Sequence, residues 1–270
     1  MLKRFESSLR SWLFRDWYAV DRTDSAPVLD LIRRLRPVDC GVELIRVGDA
    51  GDGGYLIPND LDGIEYCFSP GVSTISSFEN ALADRGIKSF LADYSIEAPN
   101  LIRPEITFDK KFLGSSDRNE YFTLETWKDT YLKGYRAELL LQMDIEGAEY
   151  EVILNAPDSL LDQFRILVIE FHCLDKMLDQ FAFRLISACF EKLLKMSYVV
   201  HLHPNNCCGS EKLDSLEIPR IMEFTFLNRR RVKEAKPQLA FPHRLDADNF
   251  PRLKHLILPE CWHAIREDEG

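Results

Sequence analysis

An α/β fold with a mainly parallel sheet is predicted for this chain, on three observations. Apolar runs of four to six residues lack the strict alternation of half-exposed strands, so both their faces should be covered. Helical patterns lie between those runs, which calls for right-handed crossovers. The last two runs are joined too briefly for a crossover helix, so one antiparallel strand is expected at the end.

The elements follow in order. Leu2, Phe5, Leu9, Trp12, Leu13 and Trp17 recur at helical spacing, with Lys3, Arg4, Arg10 and Arg15 between them. Such a basic amphipathic helix docks on its own domain or a second subunit, the alternative being peripheral contact with a membrane surface. A second helix is expected over Ser25–Leu35, ending before Pro37. Ile64–Phe68 reads as a buried strand. Ser76, with Glu79 three residues on, has the pattern of a capping box opening a helix that carries Phe78 and Leu82 and stops at Gly86. Lys88–Ala92 is the next strand, ending at Asp93. Leu139–Met143 is a strand followed at once by the helix-like GAEYEVIL. Arg165–Phe171, Tyr198–His203 and Ile218–Leu227 complete the strands, with a helix over Phe181–Lys195. The expected division is a helical extension at 1–40, the α/β domain at 41–230, and an irregular, proline-bearing tail at 231–270 wrapped over the core.

Composition excludes several classes. Hydrophobic residues at 46% and charged ones at 29% rule out a disordered or collagen-like chain. No apolar run approaches the roughly 18–20 residues of a membrane-spanning helix. A net charge of −10 argues against a nucleic-acid partner held by phosphate neutralisation. Seven irregularly spaced cysteines without a secretory leader read as reduced thiols, so a soluble cytoplasmic protein is expected, with assembly into a homo-oligomer left open.

Ligands of open parallel sheets bind beyond the carboxyl ends of the strands. After the first strand comes Ser69-Pro70-Gly71-Val72-Ser73, and Asp93 ends the second strand 22 residues past Gly71, a spacing suited to holding a ribose diol. A dinucleotide would need more glycines than Gly71 alone, and Pro70 removes a backbone donor. The next strand end brings Asp144 and Glu146, whose carboxylates repel phosphate. An adenosine ligand that is cationic and phosphate-free, such as S-adenosylmethionine, fits these residues better than NAD.

The segment LLLQMDIEGAEYEVIL, centred on Asp144–Glu149, resembles the hallmark of FkbM-like S-adenosylmethionine-dependent methyltransferases. GDGGYLIP (Gly51–Pro58), YCFSPGVSTISSFENALADRG (Tyr66–Gly86), FLADYS (Phe90–Ser95), VIEFH (Val168–His172) and HLHPNN…IPRIMEFTFLN (His201–Asn228) are similar to blocks of one branch of that family, so the resemblance covers roughly residues 45–228. It implies a Rossmann-like seven-stranded methyltransferase sheet with a reversed final strand, and O-methylation of a sugar, glycan or related hydroxylated small molecule. By the same resemblance Ser69 and Gly71 approach the methionine part of the cofactor, Asp93 holds the ribose, and Asp144 and Glu146 border the site of methyl transfer. Asp52, Gly54 and Tyr55 of the GDGGY turn, Ser76 and Tyr94 complete the cofactor candidates. Many members have a second glycine soon after the first; here Val72 to Ser76 contain none.

Methylating an alcohol requires alignment and removal of the hydroxyl proton, by a tuned base or by a divalent cation that lowers the hydroxyl pKa. Glu170 and His172 share a strand face, as do His201 and His203, and Asp144 and Glu223 are expected in neighbouring positions. One arrangement makes His172 the proton acceptor, oriented by Asp144 or Glu170, with Glu146 and His203 on the same rim. The other uses Asp144, Glu170, His172 and Glu223 to chelate Mg²⁺ or Mn²⁺. A buried polar network without chemistry, in a methyltransferase fold that only binds, and an NAD-linked oxidoreductase are the competing readings. His201, His203, Cys207 and Cys208 match no common zinc spacing.

Overall fold

The computed structural model describes residues 21–74, 76–100 and 103–264; the amphipathic pattern of residues 2–17 lies outside them. In chain order the strands are β1 Val38–Asp39, β2 Leu44–Val47, β3 Tyr55–Pro58, β4 Tyr66–Pro70, β5 Lys88–Ala92, β6 Ile106–Asp109, β7 Phe112–Leu113 and β8 Tyr121–Phe122. They continue with β9 Leu139–Met143, β10 Phe164–Phe171, β11 Ser197–Pro204, β12 Ser210–Leu213, β13 Leu216–Pro219, β14 Met222–Asn228 and β15 Lys236–Pro237. The helices are α1 Ser25–Arg34, α2 Ser77–Ala83, α3 Leu124–Leu132, α4 Glu149–Asn155, α5 Asp158–Leu161 and α6 Gln180–Met196.

Seven strands form one sheet in the order β11-β14-β10-β9-β4-β5-β6. Only β14 runs against its neighbours, pairing antiparallel with both β10 and β11. The expected α/β class, the parallel sheet and the reversed last strand are all present. The order reverses between β4 and β9, because the chain moves outward from β4 to β5 and β6, then returns to start the other half.

Alternate residues feed two hydrophobic layers, as a pleated sheet covered on both faces requires. On one face Phe68, Leu141 and Leu167 meet Trp127 of α3, Ile153 of α4 and Phe190 of α6. Val28, Leu31 and Ile32 of α1 and Trp262 of the tail join that same layer, so both ends of the described chain are built into the core. On the other face Cys67, Leu140 and Val168 meet Ile57 of the β2–β3 hairpin and Phe78 and Leu82 of α2. Among the described residues, no helix is long and apolar enough to cross a membrane.

Three local expectations are corrected. Ile218–Leu227 is not one strand. Leu216–Pro219 turns back as a hairpin with β12, and β14 starts only at Met222, because Pro219 lacks the amide needed to continue a central ladder. The Ser76–Glu79 capping box is not made: among the described residues the buried Ser76 hydroxyl has no partner, while the Glu79 carboxyl turns into the core to meet Ser69. The first strand lies two residues further on than Ile64–Phe68, at Tyr66–Pro70.

Candidate active site

A cavity of about 430 Å³ opens at the carboxyl ends of β4, β5 and β9, where the strand order reverses. One end is walled by Asp52, Tyr55, Gly71, Glu79, Asp144 and Glu146, and the other by Phe112, Leu113 and Tyr121, with Asp93 and Ser95 between them. Among the described residues, no Lys, Arg or His lines it. The volume falls in the range of small-ligand sites, roughly 300–1,000 Å³.

The turn after β4 has little freedom. Gly71 has φ +84, and a Cβ there would lie 1.4 Å from the carbonyl oxygen of Asp144. Its amide donates to Ala92 O at 2.9 Å, and the Asp144 amide donates to Pro70 O at 3.2 Å, so three strand ends are tied together at this glycine. Gly54 plays the corresponding part beside it, since a Cβ would meet Asp49 O at 1.9 Å. The hairpin turn that carries Asp52 and Tyr55 is wrapped by Arg46, whose guanidinium donates to the carbonyls of Asp49, Gly51, Gly54 and Leu245.

Asp93 is buried, and its Oδ1 accepts from both the amide and the hydroxyl of Ser95, at 2.7 and 2.6 Å. Both of these bonds fall on Oδ1, on the side chain that lines the cavity between its two ends. Tyr94 does not line the cavity; its ring packs on Phe112, which does, at 5.3 Å. Ser69, Gly54 and Ser76 lie behind the wall rather than on it.

The loop after β9 builds the reactive corner. Glu146 at φ +56 and Gly147 at φ +104 bend the chain so that the fully buried Glu149 carboxylate folds back under it. Glu149 Oε1 accepts from the amides of Ile145 and Gly147, each at 3.1 Å, and lies 3.1 Å from His172 Nδ1. His172 Nε2 then faces Asp144 Oδ1 at 3.8 Å and Glu146 Oε2 at 3.5 Å. The expected orienting residue was Asp144 or Glu170; it is Glu149. The reason is the left-handed turn, which brings an acid six residues past the end of β9 back beneath the histidine.

Burial alone would lower the His172 pKa, but the Glu149 hydrogen bond and the charges of Glu149, Asp144 and Glu170 outweigh it and raise it to about 9. Asp144 is pushed up to about 8 by burial first and by the Glu170 charge second, against the pull of His172. Glu170 also reaches about 8, through burial and the charge of Glu223.

His172 does not itself line the cavity but stands behind Asp144 and Glu146, which do; Glu170 and His203, the other candidates for the chemistry, do not line it and do not touch that pair. They form a row across the sheet, with Glu170 opposite Glu223 and Glu223 opposite His203. Glu170 therefore stands between Asp144 and Glu223, which are not neighbours. The tail completes this row: Asn249 Nδ2 donates to Glu223 at 2.8 Å, and Asp246 Oδ1 meets His201 Nε2 at 2.9 Å. Asn205 Nδ2 donates to Glu170 at 2.8 Å. Burial drops the His203 pKa to about 4, and raises that of Glu223 to about 8. Of the residues expected to hold a cation, Asp144 and His172 come together, joined by Glu149, with ligating atoms within 4.8 Å of one another; Glu170 and Glu223 do not belong to that group. Among the described residues, His201, His203, Cys207 and Cys208 form no metal cluster.

Sequence reasoning missed Glu149, Glu79, Gln142 and Ser95, and the tail residues Asp246 and Asn249. Glu149 sits inside the DIEGAE block, so its acid was visible; only the left-handed turn makes it a partner of His172.

Comparison with known proteins finds a partial likeness. No curated protein matches the chain. Residues 123–192, from the cap of α3 through most of α6, match the methyltransferase FkbM domain. Among solved structures, a protein described as a DNA modification methyltransferase encoded within a prophage (E. coli) aligns at 10% identity and TM-score 0.42. That alignment covers 67% of this chain and 52% of the other, so this chain spans about half its length. A fibrillarin/Nop5p complex aligns at 12% identity and TM-score 0.34, covering 62% of this chain and 74% of that one. The 123–192 match takes in β9, the DIEGAE turn, α4 and β10, so the part of the chain that is similar to the methyltransferase FkbM domain is the segment that supplies Asp144, Glu146, Glu149 and His172.

Proposed function

We propose that the protein is an S-adenosylmethionine-dependent O-methyltransferase acting on a hydroxyl of a sugar, glycan or related small molecule. The observation that carries this reading is the charge of the cavity. Asp52, Asp93 and Glu146 bring carboxylates to its wall and, among the described residues, no Lys, Arg or His lines it, at the crossing where Gly71 lets the backbone come close. Such a wall suits a cation and repels phosphate.

When bound, S-adenosylmethionine supplies a methyl group made electrophilic by its sulfonium. Asp93 Oδ2 would hold the ribose hydroxyls, and the apolar end at Phe112, Leu113 and Tyr121 would cover the purine. Glu149 accepts from Nδ1–H of His172 and so leaves Nε2 as the proton acceptor, open toward Asp144 and Glu146. A raised pKa makes His172 a strong base once its own proton has gone. That is the property a weakly acidic sugar hydroxyl demands.

Titration calorimetry tests the cofactor. The protein should bind S-adenosylmethionine, and Asp93→Ala should weaken binding by about 1–3 kcal/mol, roughly 5- to 150-fold, through loss of a buried charged hydrogen-bond partner. Absence of binding at millimolar cofactor, with tight binding of NAD, sinks the reading.

One observation favours a cation as the deprotonating aid instead: among the described residues, the buried Asp144 Oδ1 and Glu149 Oε2 beside His172 have no hydrogen-bond partner. Loss of turnover in EDTA, restored by Mg²⁺ or Mn²⁺, would give Asp144, Glu149 and His172 that role.

A further inference from the structure

Beneath the cavity a chain of buried polar groups runs from α2 to the hairpin. The Ser69 hydroxyl lies within hydrogen-bond distance of two acceptors, Glu79 Oε1 and, at 2.6 Å, Gln142 Oε1. The other end of the Gln142 amide, Nε2, donates to the Tyr55 hydroxyl at 3.2 Å. Ser69, Glu79, Gln142 and Tyr55 are all buried.

A serine hydroxyl has one proton and cannot donate in both directions. With the Gln142 oxygen on Ser69, the Ser69 proton goes to Gln142. The contact to Glu79 is then satisfied only if Glu79 carries a proton and donates it. Each later link follows: Gln142 Nε2 donates to Tyr55, so the Tyr55 proton points away from Gln142. Among the described residues it has no protein acceptor. The Tyr55 side chain lines the cavity, so the unspent donor is available to a ligand.

Burial favours this state. It raises the pKa of Glu79, and raises that of Tyr55 further, so the tyrosine keeps its proton. Tyr55 of β3 and Cys67 of β4 feel the charge of Glu79, and neither supplies a cation to hold it ionised.

We infer that Glu79–Ser69–Gln142–Tyr55 is a one-way hydrogen-bond relay that makes Tyr55 the donor to the carboxylate of an amino-acid-bearing ligand. The inference builds on the S-adenosylmethionine reading above and adds how the zwitterionic end is held. A carboxylate entering this cavity meets only acids and neutral groups, so a hydroxyl with a free proton is what can receive it. The Ser95 hydroxyl is already given to Asp93, and Tyr121 stands at the other end of the cavity, beside Phe112 and Leu113. A neutral Glu79 also spares the ligand carboxylate one repelling charge. Tyr55 is thus a binding residue, and Glu79 a positioning residue that acts through Ser69 and Gln142.

The test compares S-adenosylmethionine with its decarboxylated analogue by calorimetry, with melting midpoints to confirm folding. Tyr55→Phe should weaken S-adenosylmethionine about tenfold or more and leave the analogue within about threefold, since only the first has the carboxylate. Glu79→Gln should bind both ligands within about threefold of wild type, because an amide donates to Ser69 as the neutral acid does. Ser69→Ala, which cuts the relay, should follow Tyr55→Phe and stands in for it if that variant does not fold. Tyr55→Phe with unchanged affinity, or with equal loss for both ligands, overturns the inference. So does a tenfold loss in Glu79→Gln, which would make Glu79 an ionised partner of the ligand ammonium. Failure of wild-type protein to bind S-adenosylmethionine overturns the functional reading itself, an outcome distinct from either.

Discussion

His172 owes its chemistry to its surroundings. A histidine at a strand end is ordinarily near half protonation close to pH 6.5. Here Glu149 above all, with Asp144 and Glu170, holds its proton up to about pH 9 against burial, with Asp144 losing its own near 8. A base must be deprotonated to work, so turnover should rise with pH through roughly 8–9. Glu149→Gln keeps an oxygen for the Ile145 and Gly147 amides but removes the charge that raises His172; the rising limb should move to lower pH. A pH–rate profile with its limb in the same place in that variant would show that Glu149 does not tune the base. His172→Ala should lower kcat by about 10²–10⁴-fold while leaving cofactor affinity unchanged, read by turnover and calorimetry together.

The turn from β4 into α2 shows how an element can serve a site at its own expense. The N-terminus of α2 has no side-chain cap, since among the described residues the buried Ser76 hydroxyl has no partner and Glu79 is turned to Ser69. Ser77 instead ties the helix to the hairpin, donating to Gly53 O at 3.0 Å and accepting from the Asp49 amide at 3.0 Å. The lost cap is the structural cost of placing a carboxyl beneath the cavity. Gly71, just upstream, holds the crossing itself. Gly71→Ala combines φ +84 with an impossible 1.4 Å approach to the Asp144 carbonyl. It should cost at least about 3 kcal/mol, read from urea unfolding. A variant as stable as wild type would mean the β4 and β9 ends are not in contact.

For the molecule as a whole, the buried row of acids sets the response to pH. Asp144, Glu170 and Glu223 keep their protons to about pH 8 when folded, but near 4 when unfolded. Between those values the folded chain binds more protons than the unfolded one, so stability falls as pH rises. His172, raised to about 9, adds loss in the same direction from about pH 6.5 to 9. His203 works oppositely: its pKa is lowered to about 4, and its contribution is lost as pH falls toward that value. The melting midpoint of the ligand-free protein should therefore peak on the acid side of neutrality and decline to pH 9. Glu170→Gln, which removes a central member of the row, should flatten the decline. A midpoint that rises between pH 6 and 9 would contradict the burial of these acids.

Much of this was legible in the amino-acid sequence, because it depends on local pattern. Uniformly apolar runs declared strands covered on both faces, and the acids after them marked the strand ends where the cavity opens. The DIEGAE block and Asp93 stand where spacing put them, and Gly71 marks the crossing. What residues far apart in the chain do to one another could not be read this way. That Glu149 rather than Asp144 orients His172 follows from a left-handed bend at Glu146. That Glu79 feeds a relay rather than caps a helix follows from Ser69 lying under it. That Asp246 and Asn249 close the acid row follows from a tail returning across the sheet. Periodicity reports which face a side chain leaves from; only the packed chain decides which partner it finds there, because a buried polar group takes the nearest group able to satisfy it.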